Sequence, residues 1–585
     1  MIKLMKFFNK KDILNIIICI IFVIGSVWLE LKMPDYMSEI TILVQTEGSK
    51  MKDILLNGGY MLLCALGSLI CTVITGFLAA NVSSNFSKKI RKAIFDKVEN
   101  LGMQEIKSFK TSSLITRTTN DVTQVEMLIG MGLHLLIKAP ITAVWAVTKI
   151  LNKSWQWSAI TGIAIIILLS VIAILIKIVV PRFKIIQKLT DKLNGITREN
   201  LTGIRVVRAF NAEKYEEKKF AKINDELTET QLYNQKKFAI MSPMMYLVLY
   251  GVTLTIYFTG AYLIKDALMI DKLTIFSNMI VFSSYAMQVI MSFLMLAMIF
   301  MILPRAQVSA NRINEVIDTN INIKSGDFDG ETEIKGTVEF KHVSFKYPDA
   351  DEYVIKDISF KVNQGETIAF IGSTGSGKST LINLVPRFYD ATEGEVLIDG
   401  INVKKYKIEN LMNKLGYVPQ KAVMFNGSVN YNVSYGKSNK NITKENIKNA
   451  IDIAQATDFV TKMDKSYNSI IAQSGTNISG GQKQRLAIAR AIAKNPEIYI
   501  FDDSFSALDY KTDATLRKEL KKYTKEATSL IVAQRIGTIM NADKIIVLDK
   551  GKCVGKGTHK ELLKSCKVYK QIALSQLSKE ELENA

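Results

Sequence analysis

Six stretches of this chain are too apolar and too long to be the core of a soluble domain. No charged residue interrupts Ile13–Leu29, Ile54–Ser87, Ser154–Ile176, Phe238–Ile264 or Leu273–Pro304, and Met127–Thr148 is broken once, by Lys138. A helix needs about 20 apolar residues to cross the hydrocarbon of a bilayer, where no water is present to satisfy the backbone. The pattern predicts six transmembrane helices, at residues 13–31, 54–82, 127–150, 154–178, 238–264 and 273–303. A large buried helical core is the competing reading, but the last two stretches exceed ordinary globular helix lengths. The first span has a long apolar region with no A-x-A-like site after it, so it is expected to be retained and not cleaved as a signal peptide.

The chain carries a formal charge of +20. Alone, that excess would suggest nucleic acid, but in the membrane half it falls in particular connections. Lys3, Lys6, Lys10 and Lys11 precede the first span, and Lys88, Lys89, Arg91 and Lys92 follow the second. The most basic segment, Arg182 through Lys237, separates the fourth span from the fifth. Basic connections stay on the cytosolic side, so both termini are expected there, with the lipid bilayer of the cell (cytoplasmic) membrane as partner and no nucleic acid. Cys19, Cys64, Cys71, Cys553 and Cys566 follow no paired spacing, which argues against a disulfide or zinc framework.

The two long basic connections lack Pro and Gly clusters and keep a helical period, so they should be helical extensions of the spans. Each arm of such a hairpin would reach about 25–30 Å beyond the membrane at 1.5 Å per residue. Short helices that dock on a cytosolic motor are expected at the tips, near residues 110–118 and 201–211.

Composition shifts after Arg305, so the membrane domain is placed at 1–305, a polar linker at 306–335 and an α/β domain at 336–585. There, Gly372-Ser-Thr-Gly-Ser-Gly377-Lys378-Ser379 fits G-x-x-x-x-G-K-[ST] between the apolar strand Thr367–Ile371 and a helix-like run opening at Thr380. Glycine-rich turns let backbone N–H groups close on phosphate oxygens; the Lys reaches the β- and γ-phosphates and the Ser hydroxyl ligates Mg2+. Gly372, Ser373, Thr374, Gly375, Ser376, Gly377, Lys378, Ser379 and Thr380 are therefore the candidate ATP-binding loop. Asp502, ending the buried-strand run Ile498–Phe501, is placed to hold Mg2+. Asn477-Ile-Ser479-Gly480-Gly481-Gln482 opens a further helix. One nucleotide needs only one complete cradle, so this turn is expected to cap a nucleotide held by another chain.

These motifs, in this order, resemble those of an ATP-binding cassette (ABC) exporter half-transporter, over essentially the whole chain. The resemblance implies an all-α six-helix transmembrane domain with long cytosolic extensions, followed by an α/β P-loop nucleotide-binding domain. It also implies ATP and Mg2+ as cofactors, and transport-coupled ATPase activity. Tyr347 matches the aromatic that stacks on adenine, and Gln420 the glutamine that touches Mg2+. Ser479, Gly480, Gly481 and Gln482 match the signature facing a partner's ATP, and Asp509 the acid that links the two sites of a dimer. The two hairpin tips match coupling helices.

Two positions depart from the family pattern. Asp503 stands where the family places a catalytic Glu, and Gln534 where it places a switch His. An Asp is shorter by one C–C bond, about 1.5 Å. Gln offers hydrogen bonds but no imidazole proton chemistry. The chain is therefore expected to bind ATP at a degenerate site and to pair with a second half-transporter, as a heterodimeric multidrug-type exporter of an apolar or amphipathic small molecule, lipid or peptide. The alternatives are a slow homodimeric exporter or flippase and a transport-inactive ATP sensor. For the cargo, Met287, Met291, Met295 and Met298 form a stripe that suits either core packing or apolar ligands. Lys138 suits either a cavity charge or a side chain reaching the inner interface.

Overall fold

The computed structural model describes residues 1–46, 48–151, 155–436 and 442–577; Ser154, where the fourth expected span begins, and 578–585 of the second domain lie outside them. The chain divides into two compact units, residues 1–99 with 111–319 and residues 100–110 with 320–585.

The first unit is helical: α1 (Lys10–Gln45), α2 (Met51–Glu99), then, after a short α3 (Met103–Ser108) that belongs to the second unit, α4 (Thr111–Thr118), α5 (Asn120–Leu151), α6 (Trp155–Thr202), α7 (Ile204–Ala209), α8 (Glu213–Asp266) and α9 (Met269–Ile317). Six of these are long and apolar enough to cross a membrane. The arms are real: α8 has 54 residues, about 80 Å of rise, far more than a bilayer needs. The core gathers Val27, Leu31, Ile150, Trp157, Leu168, Ile256 and Phe282.

Polar contacts tie the spans together where packing alone is weak. Glu30 on α1 accepts from Lys138 Nζ at 2.8 Å and from Ser68 Oγ at 3.0 Å. One turn on, Asp35 accepts from Lys149 Nζ at 2.7 Å and from the Tyr285 hydroxyl at 2.7 Å. Lys138 is thus neither a free cavity charge nor a side chain reaching for the inner interface: an ammonium in an apolar setting is most stable beside a carboxylate. Met287, Met291 and Met298 are exposed and Met295 is half-buried, so most of that stripe does not pack in the chain's own core.

Two boundaries differ from the sequence reading. Residues 306–317 are not linker: α9 continues to Ile317, because Ala306, Ala310, Ile313 and Val316 form one apolar face and are fully buried. The tip helix that belongs with the second unit is α3, not 110–118. Residues 111–118 form α4 in the first unit, where Arg117 donates to Arg312 O at 2.8 Å and pairs with Glu315. The second tip forms the short α7 inside 201–211; none of its residues is buried.

The second unit contains β1 (Val338–Phe345), β2 (Ile355–Val362), β3 (Thr367–Gly372), β4 (Glu393–Ile398), β5 (Ile401–Asn402), β6 (Leu415–Val418), β7 (Gly427–Ser428), β8 (Ile470–Ile471), β9 (Ile498–Asp502), β10 (Thr528–Val532), β11 (Lys544–Asp549) and β12 (Lys552–Gly557). A six-stranded sheet runs β12-β11-β3-β10-β9-β6, parallel except for β12. A second sheet runs β2-β1-β4-β5, antiparallel. The central strands β9 and β10 are buried along their whole length without alternation, as a sheet covered on both faces requires.

Candidate functional site

Strand register builds the site. Phe370 of β3 lies beside Val532 of β10, Val532 beside Asp502 of β9, and Phe501 beside Val418 of β6. The residues just beyond these ends therefore leave one edge of the sheet together. They are the loop after Gly372, Asp503, Gln420 and Gln534. The carboxyl ends of parallel strands are where α/β sheets hold ligands.

The loop from Gly372 closes on itself before α10 (Lys378–Ile382). Gly375 and Gly377 take left-handed φ values of 81° and 96°, and a Cβ on Gly377 would come within 2.6 Å of Ile355 Cδ1. Lys378 is buried, and its ammonium donates to the Gly372 and Ser373 carbonyls, both at 2.8 Å. Burial pushes its pKa down, while the charges of Asp503 and Asp502 oppose that shift.

The Ser379 hydroxyl donates to Asp502 Oδ1 at 2.7 Å. One hydroxyl and one carboxylate are hard oxygen donors that suit Mg2+, which takes few protein ligands and fills its octahedron with water and phosphate oxygens. Among the described residues no cluster of three or more His, Cys, Asp or Glu could hold a metal without such help. Burial raises the pKa of Asp502, against the lowering effect of the Ser379 bond.

Asp503 sits at φ 47°, its amide donating to Val532 O at 3.0 Å. Its Oδ2 accepts Gln534 Nε2 at 2.8 Å and Gln420 Nε2 at 3.3 Å. The two positions that depart from the family pattern are therefore hydrogen-bonded to each other. Burial raises the Asp503 pKa; the amide donors and Lys378 pull it the other way. No imidazole takes part: His342 meets Asp357 at 2.8 Å, His559 meets the Tyr569 hydroxyl at 2.7 Å, and His134 lies on α5.

Tyr347 joins this group through its hydroxyl, 3.1 Å from Thr380 Oγ1, and packs edge-on against Tyr389. Lys107, from α3, stands 5.0 Å from the Tyr347 ring centroid and 5.3 Å from that of Tyr389. The motifs held no signal for Lys107 or Tyr389, because the pairing joins residues far apart in the chain.

The Ser479–Gln482 turn lies apart from this cluster: no hydrogen bond or ion pair among the described residues links it to the loop. Ser479 caps α11 (Gly480–Lys494) in a reciprocal capping box with Gln482. Asp509 caps α12 (Tyr510–Tyr523), accepting from Thr512 N at 3.0 Å, and that bond holds its pKa down. The two turns do meet, since a Cβ on Gly481 would lie 3.2 Å from Ala507 O. Ser479 and Gly480 are exposed, leaving the N-terminus of α11 open to an outside ligand.

Comparison with known proteins matches both units. The family described as ABC transporter transmembrane region matches residues 16–303, and the family described as ABC transporter matches residues 355–506. An uncharacterized ABC transporter ATP-binding protein of Mycobacterium tuberculosis (strain ATCC 25618 / H37Rv) is 37% identical over 524 residues, covering 88% of this chain and 87% of its own. The ATP-dependent lipid A-core flippase of Pseudomonas aeruginosa is 32% identical over 491 residues, 83% of this chain and 79% of its own. Among solved structures, a bacterial Atm1-family ABC exporter with ATP bound has the same fold, with a TM-score of 0.82 at 22% identity over 97% of this chain and 99% of that one.

Proposed function

This chain belongs to the ABC transporters, as an ATP-driven exporter half-transporter working in a bilayer, and from that premise we propose that it holds ATP at a site poorly equipped to cleave it, beside a partner half-transporter that supplies the competent site. In this reading Tyr347 stacks on adenine and the loop Gly372–Thr380 receives the phosphates. The Lys378 ammonium moves from loop carbonyls to phosphate oxygens. Ser379 and Asp502, with Gln420, hold Mg2+, which neutralises phosphate charge when bound. Ser479, Gly480, Gly481 and Gln482 face the partner's ATP, and Asp509 links the two sites.

One observation carries the proposal: both amides beside Asp503 donate to the same carboxylate oxygen. Burial raises the pKa of that carboxylate, which does not weaken it as a base, and the missing methylene shortens its reach. A general base must come within about 2.6–3.2 Å of the proton it takes, and a shortfall of one bond length spans that window. Gln534 can donate to a γ-phosphate oxygen but cannot relay a proton. ATP then acts chiefly as an adhesive between the two motor domains. Closure passes through α3 and α7 to the spans, the cavity turns outward, and hydrolysis at the partner's site resets it. The termini lie in the cytosol and the cargo is an apolar or amphipathic molecule; a 32% identical relative is named for moving a lipid.

The experiment is co-purification of the partner, followed by replacement of its catalytic glutamate with glutamine. Loss of nearly all ATPase activity is expected. Activity near wild type, or brisk turnover by this chain assembled only with itself, overturns the division of labour.

A further inference from the structure

Beyond Ala533, whose amide donates to Phe370 O at 3.2 Å, the chain leaves β10 and its ladder. Gln534 and Arg535 follow, and then the short helix α13 (Ile536–Ile539). Arg535 is extended, at φ −101° and ψ 128°, so the Gln534 carbonyl and the Ile536 N–H point to the same side of the backbone. Later in the chain come two more helices, α14 (His559–Ser565) and α15 (Lys567–Gln576). The side chain of Gln576, the last residue of α15, meets both of those backbone groups. Its Nε2 donates to Gln534 O at 2.7 Å, and its Oε1 accepts from Ile536 N at 2.8 Å.

Packing aims this side chain. Tyr569 and Ala573 are fully buried, and the Tyr569 hydroxyl lies 2.7 Å from His559 Nδ1 on α14. Steps of four and three residues put Gln576 on the same face of α15 as those two. Capping accounts for only one of its bonds. The Ile536 N–H opens α13, where Arg535 gives no side-chain cap, so an acceptor there satisfies a helix-start donor. The second bond lies outside α13 and holds the carbonyl of Gln534, whose own side chain donates to Asp503 Oδ2 at 2.8 Å. Between them, Arg535 donates to Ser506 O at 3.3 Å, in the turn that leads to Asp509. A neutral carboxamide offers a donor and an acceptor side by side, which this pairing requires.

We propose that Gln576 is a positioning residue of the nucleotide site, fixing the backbone from which Gln534 donates to the γ-phosphate. The inference rests on the preceding reading of Gln534 as that donor. Gln576 itself touches no nucleotide. Its work is to replace, at a point where the sheet has ended, the ladder bonds that would otherwise hold residue 534 in place. A hydrogen bond weakens steeply as its angle opens, so a backbone free to shift costs the Gln534 side chain its aim. ADP lacks the γ-phosphate, so the effect falls on ATP alone.

The test uses the full chain in detergent with Mg2+ and measures the affinities of ATP and of ADP by displacement of a fluorescent nucleotide. The quantity read is their ratio. Gln534→Ala should lower the ratio about tenfold, the worth of one hydrogen bond to a charged oxygen. Gln576→Ala should lower it about threefold to tenfold, with ADP affinity and unfolding temperature close to wild type, because Tyr569 and Ala573 still anchor α15. Gln576→Glu keeps an acceptor for the Ile536 N–H but sets an oxygen against the Gln534 carbonyl, so it should fall as Gln576→Ala does. In a Gln534→Ala background, Gln576→Ala should change nothing further. A ratio unmoved by Gln534→Ala overturns the γ-phosphate role given to Gln534, and this inference with it. A ratio that falls with Gln534→Ala but not with Gln576→Ala overturns this inference alone. So does a wild-type ratio in Gln576→Glu, which would leave only a helix cap. Equal loss of ATP and ADP binding with a lower unfolding temperature would mark a merely structural role and overturn it too.

Discussion

If Asp503 and Gln534 limit hydrolysis, restoring reach and proton chemistry at those two positions should release it. The perturbation is Asp503→Glu with Gln534→His. The added methylene extends the carboxylate by about 1.5 Å, one C–C bond. A positioned general base is worth about 10²–10⁴-fold, or about 2.7–5.5 kcal/mol of barrier. ATP affinity should hold, because Lys378, Ser379 and Asp502 are unchanged. Asp503 sits at φ 47°, a region that tolerates Asp better than Glu, so a stability loss of about 1–2 kcal/mol is expected. Because residues 503 and 534 share a bond of 2.8 Å, the single substitutions should not add to the double. The assay is phosphate release from the chain reconstituted alone in nanodiscs, with nucleotide affinity and unfolding temperature measured in parallel. A folded, ATP-binding double variant whose rate stays within about threefold of wild type, far below the gain a positioned base gives, would refute the reasoning.

Three further outcomes are expected. Lys138→Met leaves Glu30 only the Ser68 hydroxyl and should lower stability by about 2–4 kcal/mol, while adding Glu30→Gln should recover at least half; thermal unfolding in detergent checks both. Tyr347→Ala should weaken ATP binding by about 1–3 kcal/mol through lost stacking, while Tyr347→Phe, which loses only the Thr380 bond, should stay close to wild type in a fluorescent-nucleotide titration. Burial raises the folded pKa of Asp502 and Asp503, so the folded state holds those protons more tightly than the unfolded chain and stability falls as pH rises from about 4 through the raised values. Asp503→Asn should flatten that fall in unfolding measured between about pH 4 and pH 7, and an unchanged slope would contradict it.

What the sequence made legible follows the range of the interactions involved. The six spans could be read because hydrocarbon demands an uninterrupted run, and the loop at Gly372 because its chemistry occupies consecutive positions between a strand and a helix. The pairing of Asp503 with Gln534 could not be read, since it depends on β9 and β10 being neighbours in register. Glu30 was visible at the end of the first span, but its partnership with Lys138 joins α1 to α5. The tip helix was misplaced because Lys110-Thr-Ser-Ser looks like a helix start. The helix start is genuine, but Arg117 anchors it to α9, and the preceding residues 100–110, with α3, join the second unit instead. The linker was drawn too early because polarity was weighed over 306–335 as a whole, whereas a single buried face decides 306–317.

The bond between Asp503 and Gln534 also changes what the two departures mean together. Two unrelated losses would leave a buried carboxylate short of partners, and an unsatisfied buried charge is costly. Here the short carboxylate is met by the Gln534 amide and by Gln420, so each departure suits the other. An amide that only donates steadies a carboxylate without relaying its proton, whereas an imidazole would exchange one. The same strand ends keep Lys378 and Ser379 in their cradle, joined to Asp502. A site that had merely decayed would be expected to lose satisfied bonds at binding and cleavage positions alike. In the proposed reading this one keeps the phosphate loop and weakens only the group that would activate the attacking water, the arrangement required if ATP is to stay in place while chemistry proceeds on a companion chain.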